Sequence, residues 1–296
     1  MAREDVSRIE AAARGALTRF EKSIREFRKR AAVRDHKRVI RAKREAMRRA
    51  AVEYFTFVRR SLRLGSVRLD RPAEEMAEAA VDWAAVEGEG RRIFGRTVLE
   101  TIQSAGLRLT PRQRATVLKA RVDPIGDAAV KWAKKNTAKL VTEVTAKTKA
   151  GIATVIADSI DTGRALDATR KMISGSVGLT SRQSSAALKV YEKAFADGLS
   201  HEEALAEMGD YSARALRYRE ELIAQTESAA ASSAGLLAAF DENDIREVEW
   251  AADLGPGCCE VCQERDGTVY SIDEAEGMLP AHPGCECAWL SVIGNR

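Results

Sequence analysis

The chain has 296 residues, a formal net charge of +4, 45% hydrophobic residues and 5% aromatics. That length suffices for one large domain or two modest ones, and the abundance of Ala, Arg and Glu favours helices packed through small side chains over a β-sandwich. No run approaches the roughly eighteen consecutive apolar residues of a membrane span, and the opening MAREDVSRIE has no apolar leader segment, so a reducing cytoplasm is the expected folding compartment.

The first third reads as long helices. Ala13, Leu17, Phe20, Ile24, Phe27 and Ala31 recur at intervals of 4, 3, 4, 3 and 4, a heptad seam. Met47, Ala51, Tyr54 and Val58 repeat the 4, 3, 4 spacing. Positive charge is concentrated between these seams. Lys22 to Arg49 holds thirteen Lys/Arg against three Asp/Glu, a local +10, so the remainder sums to −6. Two readings of this run stand open. One is a solvated helix face. The other is a surface for phosphates or for an acidic protein, made by Arg28, Lys29, Arg30, Arg34, Lys37, Arg38, Arg41, Lys43, Arg44, Arg48 and Arg49. Nucleic acid held that way would be bound through its backbone, without sequence preference and with strong salt sensitivity.

LGSVRLDRPAEE (64–75) breaks the helical pattern, with Asp70 as a cap, Pro72 in the first turn and Glu74 and Glu75 at the positive helix end. VEGEG (86–90) reads as a second break. Helix entries follow at Thr110/Gln113, Thr180/Gln183 and SHEE (200–203), each a capping box. An extended helix is expected from Asp127 to about Asp158, with at least two more before Phe240. Beyond it, IREVEWAAD and TVYSI alternate and carry β-branched and aromatic residues, so they read as two strands, the second following the turn signal RDG.

The expected fold is therefore mainly α: long helices and a helical bundle with a small C-terminal zinc-bound β-hairpin module. It divides into a basic coiled-coil-like arm (1–70), a helical connector (71–125), a helical body (126–240) and the hairpin module (241–296).

All five cysteines and one of the three histidines fall within this last module, spaced Cys259-x2-Cys262-x19-His282-x2-Cys285-x-Cys287, with Cys258 beside the first. A C-x2-C knuckle and an H-x2-C pair about twenty residues apart match structural zinc spacing. A disulfide framework is disfavoured in a reducing compartment, and five thiols cannot all pair within one chain. A thioredoxin-type motif would open a helix after a strand, whereas this C-x2-C runs into QERDG, read as a turn. A catalytic zinc deaminase site needs H-x-E ahead of P-C-x-x-C, and here Pro283 and Gly284 follow His282. The expected site is a closed, structural Zn2+ held by Cys259, Cys262, His282 and Cys285, with Cys287 as the alternative fourth ligand and Cys258 as a spare thiol.

IAQTESAAASSAG (223–235) and CEVCQERDGTVYSIDEAEGMLPAHPGCECAWL (259–290) resemble the phage Mu F-like minor head proteins, the phage head-morphogenesis family, over roughly residues 126 to 293. Gln225 and Glu286 stand where that family usually has Arg. The resemblance implies a minor capsid protein of a tailed phage or prophage. Such a protein would be assembled in the host cytoplasm into proheads or virions, in several copies, beside the portal protein and other head proteins, with packaged DNA as a non-specific contact and no membrane. The alternative is a nucleic-acid-binding protein that uses the basic arm. Against zinc-module contact with DNA, residues 253–287 carry one Arg and eight Asp/Glu. Catalysis is not expected, since no nucleophile–base pairing is visible and Thr226-Glu227 reads as a helical polar pair.

Overall fold

The basic run and both flanking seams lie on one helix, α1 (Ala2–Arg60). The computed structural model describes residues 2–106, 127–256 and 258–292. It is mainly helical. After a 3-10 turn at Leu64–Ser66 come α2 (Ala73–Ala79), α3 (Trp83–Gly106), α4 (Asp127–Asp161), α5 (Leu166–Ser176), α6 (Ser181–Ala196) and α7 (His201–Asp241). Then β1 (Glu247–Ala251), α8 (Glu260–Arg265), β2 (Val269–Ser271), α9 (Ile272–Ala275) and β3 (Ala288–Ser291) follow among the described residues. None of the described helices is long and apolar enough to cross a membrane.

The chain divides into two compact units, and α1 and α7 contribute to both. The helical unit comprises Lys43–Thr101 and Ile125–Ser228. The second seam of α1 enters its core: Met47, Ala51, Tyr54 and Val58 are fully buried. The Tyr54 hydroxyl shares a 2.7 Å hydrogen bond with Thr145 of α4, and its ring lies 5.5 Å from that of Phe94. Helix α6 begins at the expected capping box, with Thr180 accepting from the Gln183 amide and Gln183 accepting from the Thr180 amide. Ser200 and Glu203 make the same reciprocal pair at α7. Thr110 and Gln113 lie outside the described residues.

Two expectations fail in this unit. VEGEG does not break a helix, because α3 runs through it. A Cβ on Gly90 would stand 2.8 Å from the Tyr54 ring, so this glycine permits close helix approach instead of ending the helix. Asp70 does not cap α2; Pro72 occupies that position without a side-chain bond. Arg219 was not singled out in the sequence. It is buried, with its guanidinium 5.1 Å from the centre of the Phe55 ring and bonded to the carbonyls of Val144 and Gly178. Burial lowers its pKa to about 10.

The second unit comprises Met1–Ala42, Ile102–Pro124 and Ala229–Arg296. Its sheet has three strands in the order β2-β1-β3, all antiparallel, so the expected hairpin is extended by a third strand. AWLS, which forms β3, is too short and too uniformly apolar to show alternation. The strand period places Val248, Trp250 and Trp289 in one apolar cluster with Leu237 and Phe240 of α7. The two tryptophans meet edge to face at 5.3 Å, and Trp289 Nε1 donates to Ser233 Oγ. Ala251, Ala288 and Leu290 form a separate cluster with Ala32 and Val33 of α1. The sheet is thus packed on both faces, which explains why β1 is buried at four consecutive positions.

Candidate metal centre

Cys259 caps the N-terminus of α8, and Cys262 lies one turn on, buried. The C-x2-C therefore opens a helix, contrary to the turn expected from QERDG. Glu260 in the first turn and Arg265 in the last suit that helix's dipole. The helix start removes the sequence distinction from a redox motif; what separates the two is the company Cys262 keeps. His282-Pro283-Gly284-Cys285 forms a tight turn closed by the Cys285 amide donating to the His282 carbonyl at 3.0 Å. Proline second and a glycine third with φ of +81° are the residues a type II turn requires. That turn brings His282 and Cys285 to Cys262. The His282 Nδ1 contacts the Pro283 carbonyl at 3.0 Å, which assigns the proton to Nδ1 and leaves Nε2 as the ligand atom.

Two groups of three share Cys262: Cys259, Cys262 and His282, and Cys262, Cys285 and Cys287. Within each, the ligand atoms lie within 4.8 Å of one another. Tetrahedral Zn2+ with bonds of about 2.3 Å to sulfur and about 2.0 Å to nitrogen sets two sulfurs about 3.8 Å apart and a sulfur and a nitrogen about 3.5 Å apart. Cys262 Sγ stands 3.9 Å from Cys285 Sγ and 3.5 Å from His282 Nε2. These residues fit the ion. All five predicted candidates converge, and Cys258 belongs to neither group. The hydrogen bond between Cys285 and Cys287 lowers the pKa of the Cys285 thiol and raises that of Cys287, so the two share one proton between them. Burial pushes the Cys262 thiol up to about 12, a cost that a cation would offset.

Part of the basic run is engaged within the chain. Several of its cations bind the acidic module of their own chain. Lys29 Nζ lies 2.6 Å from Asp266 and 3.7 Å from Glu249, and Arg25 Nε bonds both Glu249 oxygens. Lys37 Nζ bridges Asp253 at 2.5 Å and Glu286 at 3.0 Å. Arg28 donates to the Ser291 carbonyl. Arg38, Arg44 and Arg48 pair with Asp35, Glu221 and Glu45. Arg30, Arg34, Arg41, Lys43 and Arg49 make no ion pair among the described residues. The signal for this docking is present in the sequence, as a +10 segment and a module rich in carboxylates; the acidic protein surface that the basic run fits is, for these residues, the chain's own module. Glu286, the departure from the family pattern, is the counterion of Lys37.

Residues 187–290 match the family model described as Phage Mu protein F like protein. Over this segment the chain is similar to that family. The Mu F-like segment starts later than the resemblance read from residue 126, and it takes in most of α6, all of α7, the sheet nearly to its end and every candidate ligand. No curated protein and no solved structure matches the chain.

Proposed function

We propose that the protein is a minor head protein of a tailed phage or prophage, present in several copies at the portal vertex during prohead assembly, with its C-terminal module folded around one structural Zn2+. The family match over residues 187–290 carries the head-morphogenesis reading, and that family is structural rather than catalytic. Cys259, Cys262, His282 and Cys285 would hold the zinc, with Cys287 replacing Cys285 in the alternative set. The ion would supply no open position for chemistry; it would tie α8 to the loop before β3. The spacing around Cys262 supports this, as does the number of ligands available.

The portal, the other head proteins and non-specifically held DNA are the proposed partners, and the virion or prohead the proposed location. Mass spectrometry of purified proheads and virions tests the assembly role: the chain should co-purify with the portal, and its absence from both particles would refute the reading. A second reading, nucleic-acid binding by the arm, rests on Arg30, Arg34, Arg41, Lys43 and Arg49, which make no ion pair among the described residues. A salt titration of DNA binding by the full chain tests it. Loss of binding on replacing these five by Gln supports it, and no binding at low salt excludes it.

A further inference from the structure

The two heptad seams of α1 meet different fates. Where the chain supplies neighbouring helices, Met47, Ala51, Tyr54 and Val58 are fully buried. In the first seam, Leu17, Phe20, Ile24 and Phe27 remain 57%, 64%, 38% and 60% exposed. From residue 16 to residue 25 every side chain is exposed, so this part of the helix has no packing to hold it. A helix draws most of its stability from burying such a face. Spacing that averages 3.5 residues matches another helix supercoiled against it, and specifies knobs-into-holes contact over any flat apolar patch.

We propose that residues 13–31 of α1 join a second copy of this chain in a parallel, two-stranded coiled coil. The heptad spacing fits a second copy of the same helix, and the charges beside the seam set its orientation. With Leu17 and Ile24 at a and Phe20 and Phe27 at d, the e positions are Arg14, Glu21 and Arg28, and the g positions Ala16, Ser23 and Arg30. In a parallel pair each g residue meets the e residue of the partner's next heptad. Glu21 then faces Ala16 of the second copy and Arg28 faces Ser23, so no like charges meet. Pairing antiparallel about the middle of the seam would set Glu21 against its own symmetry mate and Arg14 against Arg28. The seam is free of like-charge contacts in the parallel orientation. Arg25 and Lys29 are b and f residues of this register, and they hold the carboxylates of the chain's own sheet while the seam stays open. This inference does not rest on the phage-head reading.

Sedimentation equilibrium of the full chain across a hundredfold concentration range tests it. The wild type should sediment at twice the chain mass. Phe20→Lys with Phe27→Lys should raise the dimer dissociation constant at least a hundredfold and lower the far-UV circular dichroism by no more than fraying of residues 13–31 accounts for, because both side chains are exposed on the chain itself. Leu17→Asn with Ile24→Asn is a second disruption that adds no charge. Leu17→Cys should cross-link two chains through residue 17 in oxidised glutathione if the pair is parallel. A monomeric wild type, an unchanged dimer in both double variants, or no cross-link through residue 17 would each overturn the proposal.

Discussion

His36 lies wholly inside the sheet-containing unit, with Nδ1 3.0 Å from Ser232 Oγ, and burial lowers its pKa to about 4 from an ordinary 6.5. The unfolded chain therefore binds a proton that the folded chain refuses between those values. Stability from this residue is complete above pH 6.5 and falls as pH drops toward 4, with a slope of up to about 1.4 kcal/mol per pH unit. Glu227 acts in the opposite sense. It accepts from Asn136 Nδ2 at 2.9 Å, and burial raises its pKa to about 7 from 4.5. Here the folded chain holds the proton, so its contribution is complete below pH 4.5 and is lost as pH rises through 7. His36→Gln should flatten the acid limb of a plot of melting temperature against pH and leave the alkaline limb in place. Glu227→Gln should match the wild type near pH 4.5 and melt higher at pH 8, since a glutamine oxygen can still accept from Asn136. Parallel wild-type and variant curves across pH 4 to 8 would contradict both assignments. Ligand identity belongs to the same scale. Elemental analysis should find one zinc per wild-type chain, none in Cys262→Ser, and an unchanged content in Cys258→Ser and Cys287→Ser. Zinc lost on changing Cys287 and kept on changing Cys285 would exchange those two roles.

At the scale of elements, α1 and the sheet module are joined by charges. Lys37 is three-quarters buried between Asp253 and Glu286, and Glu249 is almost wholly buried against Arg25 and Lys29. Partly buried pairs of this kind are worth more than exposed ones because water screens them less. Removing one partner leaves the other desolvated, which costs more than the pair contributes. Lys37→Met in the wild type leaves Asp253 and Glu286 facing each other and should destabilise by about 1–2 kcal/mol. In the Glu286→Arg background the same change should cost much less, since the new arginine can take over Asp253 and is relieved of Lys37. Equal losses in the two backgrounds, measured by urea denaturation, would show that residues 37 and 286 are not coupled. The elements themselves were legible where local chemistry decides them. The capping boxes at Thr180 and Ser200, the span of α4 and the RDG turn, with Gly267 at φ +83°, are all set by neighbours in sequence. Gly90 and the helix over QER differ from the local reading. Gly90 answers to a distant partner, since a Cβ there would meet the Tyr54 ring. Strand β3 pairs with a segment some forty residues earlier, and no local pattern announces that.

For the whole molecule, the clustering of the candidate ligands is legible from spacing alone, because C-x2-C and H-x2-C each form a tight turn or helix start. What spacing could not convey is how far the cluster is built into a core. Cys262, Cys285 and Cys287 are buried in the same apolar cluster as Trp250 and Trp289, beneath Leu237 and Phe240 of α7. The candidate ligands are thus part of the packing of the sheet-containing unit, and the helical unit has its own core around Tyr54, Phe94, Ile152 and Ile156. Binding a structural Zn2+ is worth on the order of 10 kcal/mol, comparable to the stability of a whole small domain. Removing the ion should therefore release one core and spare the other. Treatment with a strong chelator at neutral pH should remove much of the near-ultraviolet circular dichroism, since two of the four tryptophans lie beside the ligands, and should retain most of the far-ultraviolet helical signal. Thermal unfolding should split into two transitions, with only the lower one moved by chelator and restored by added zinc. A single transition that chelator leaves in place would mean that the cysteines and histidine pack as a thiol-rich core without a metal.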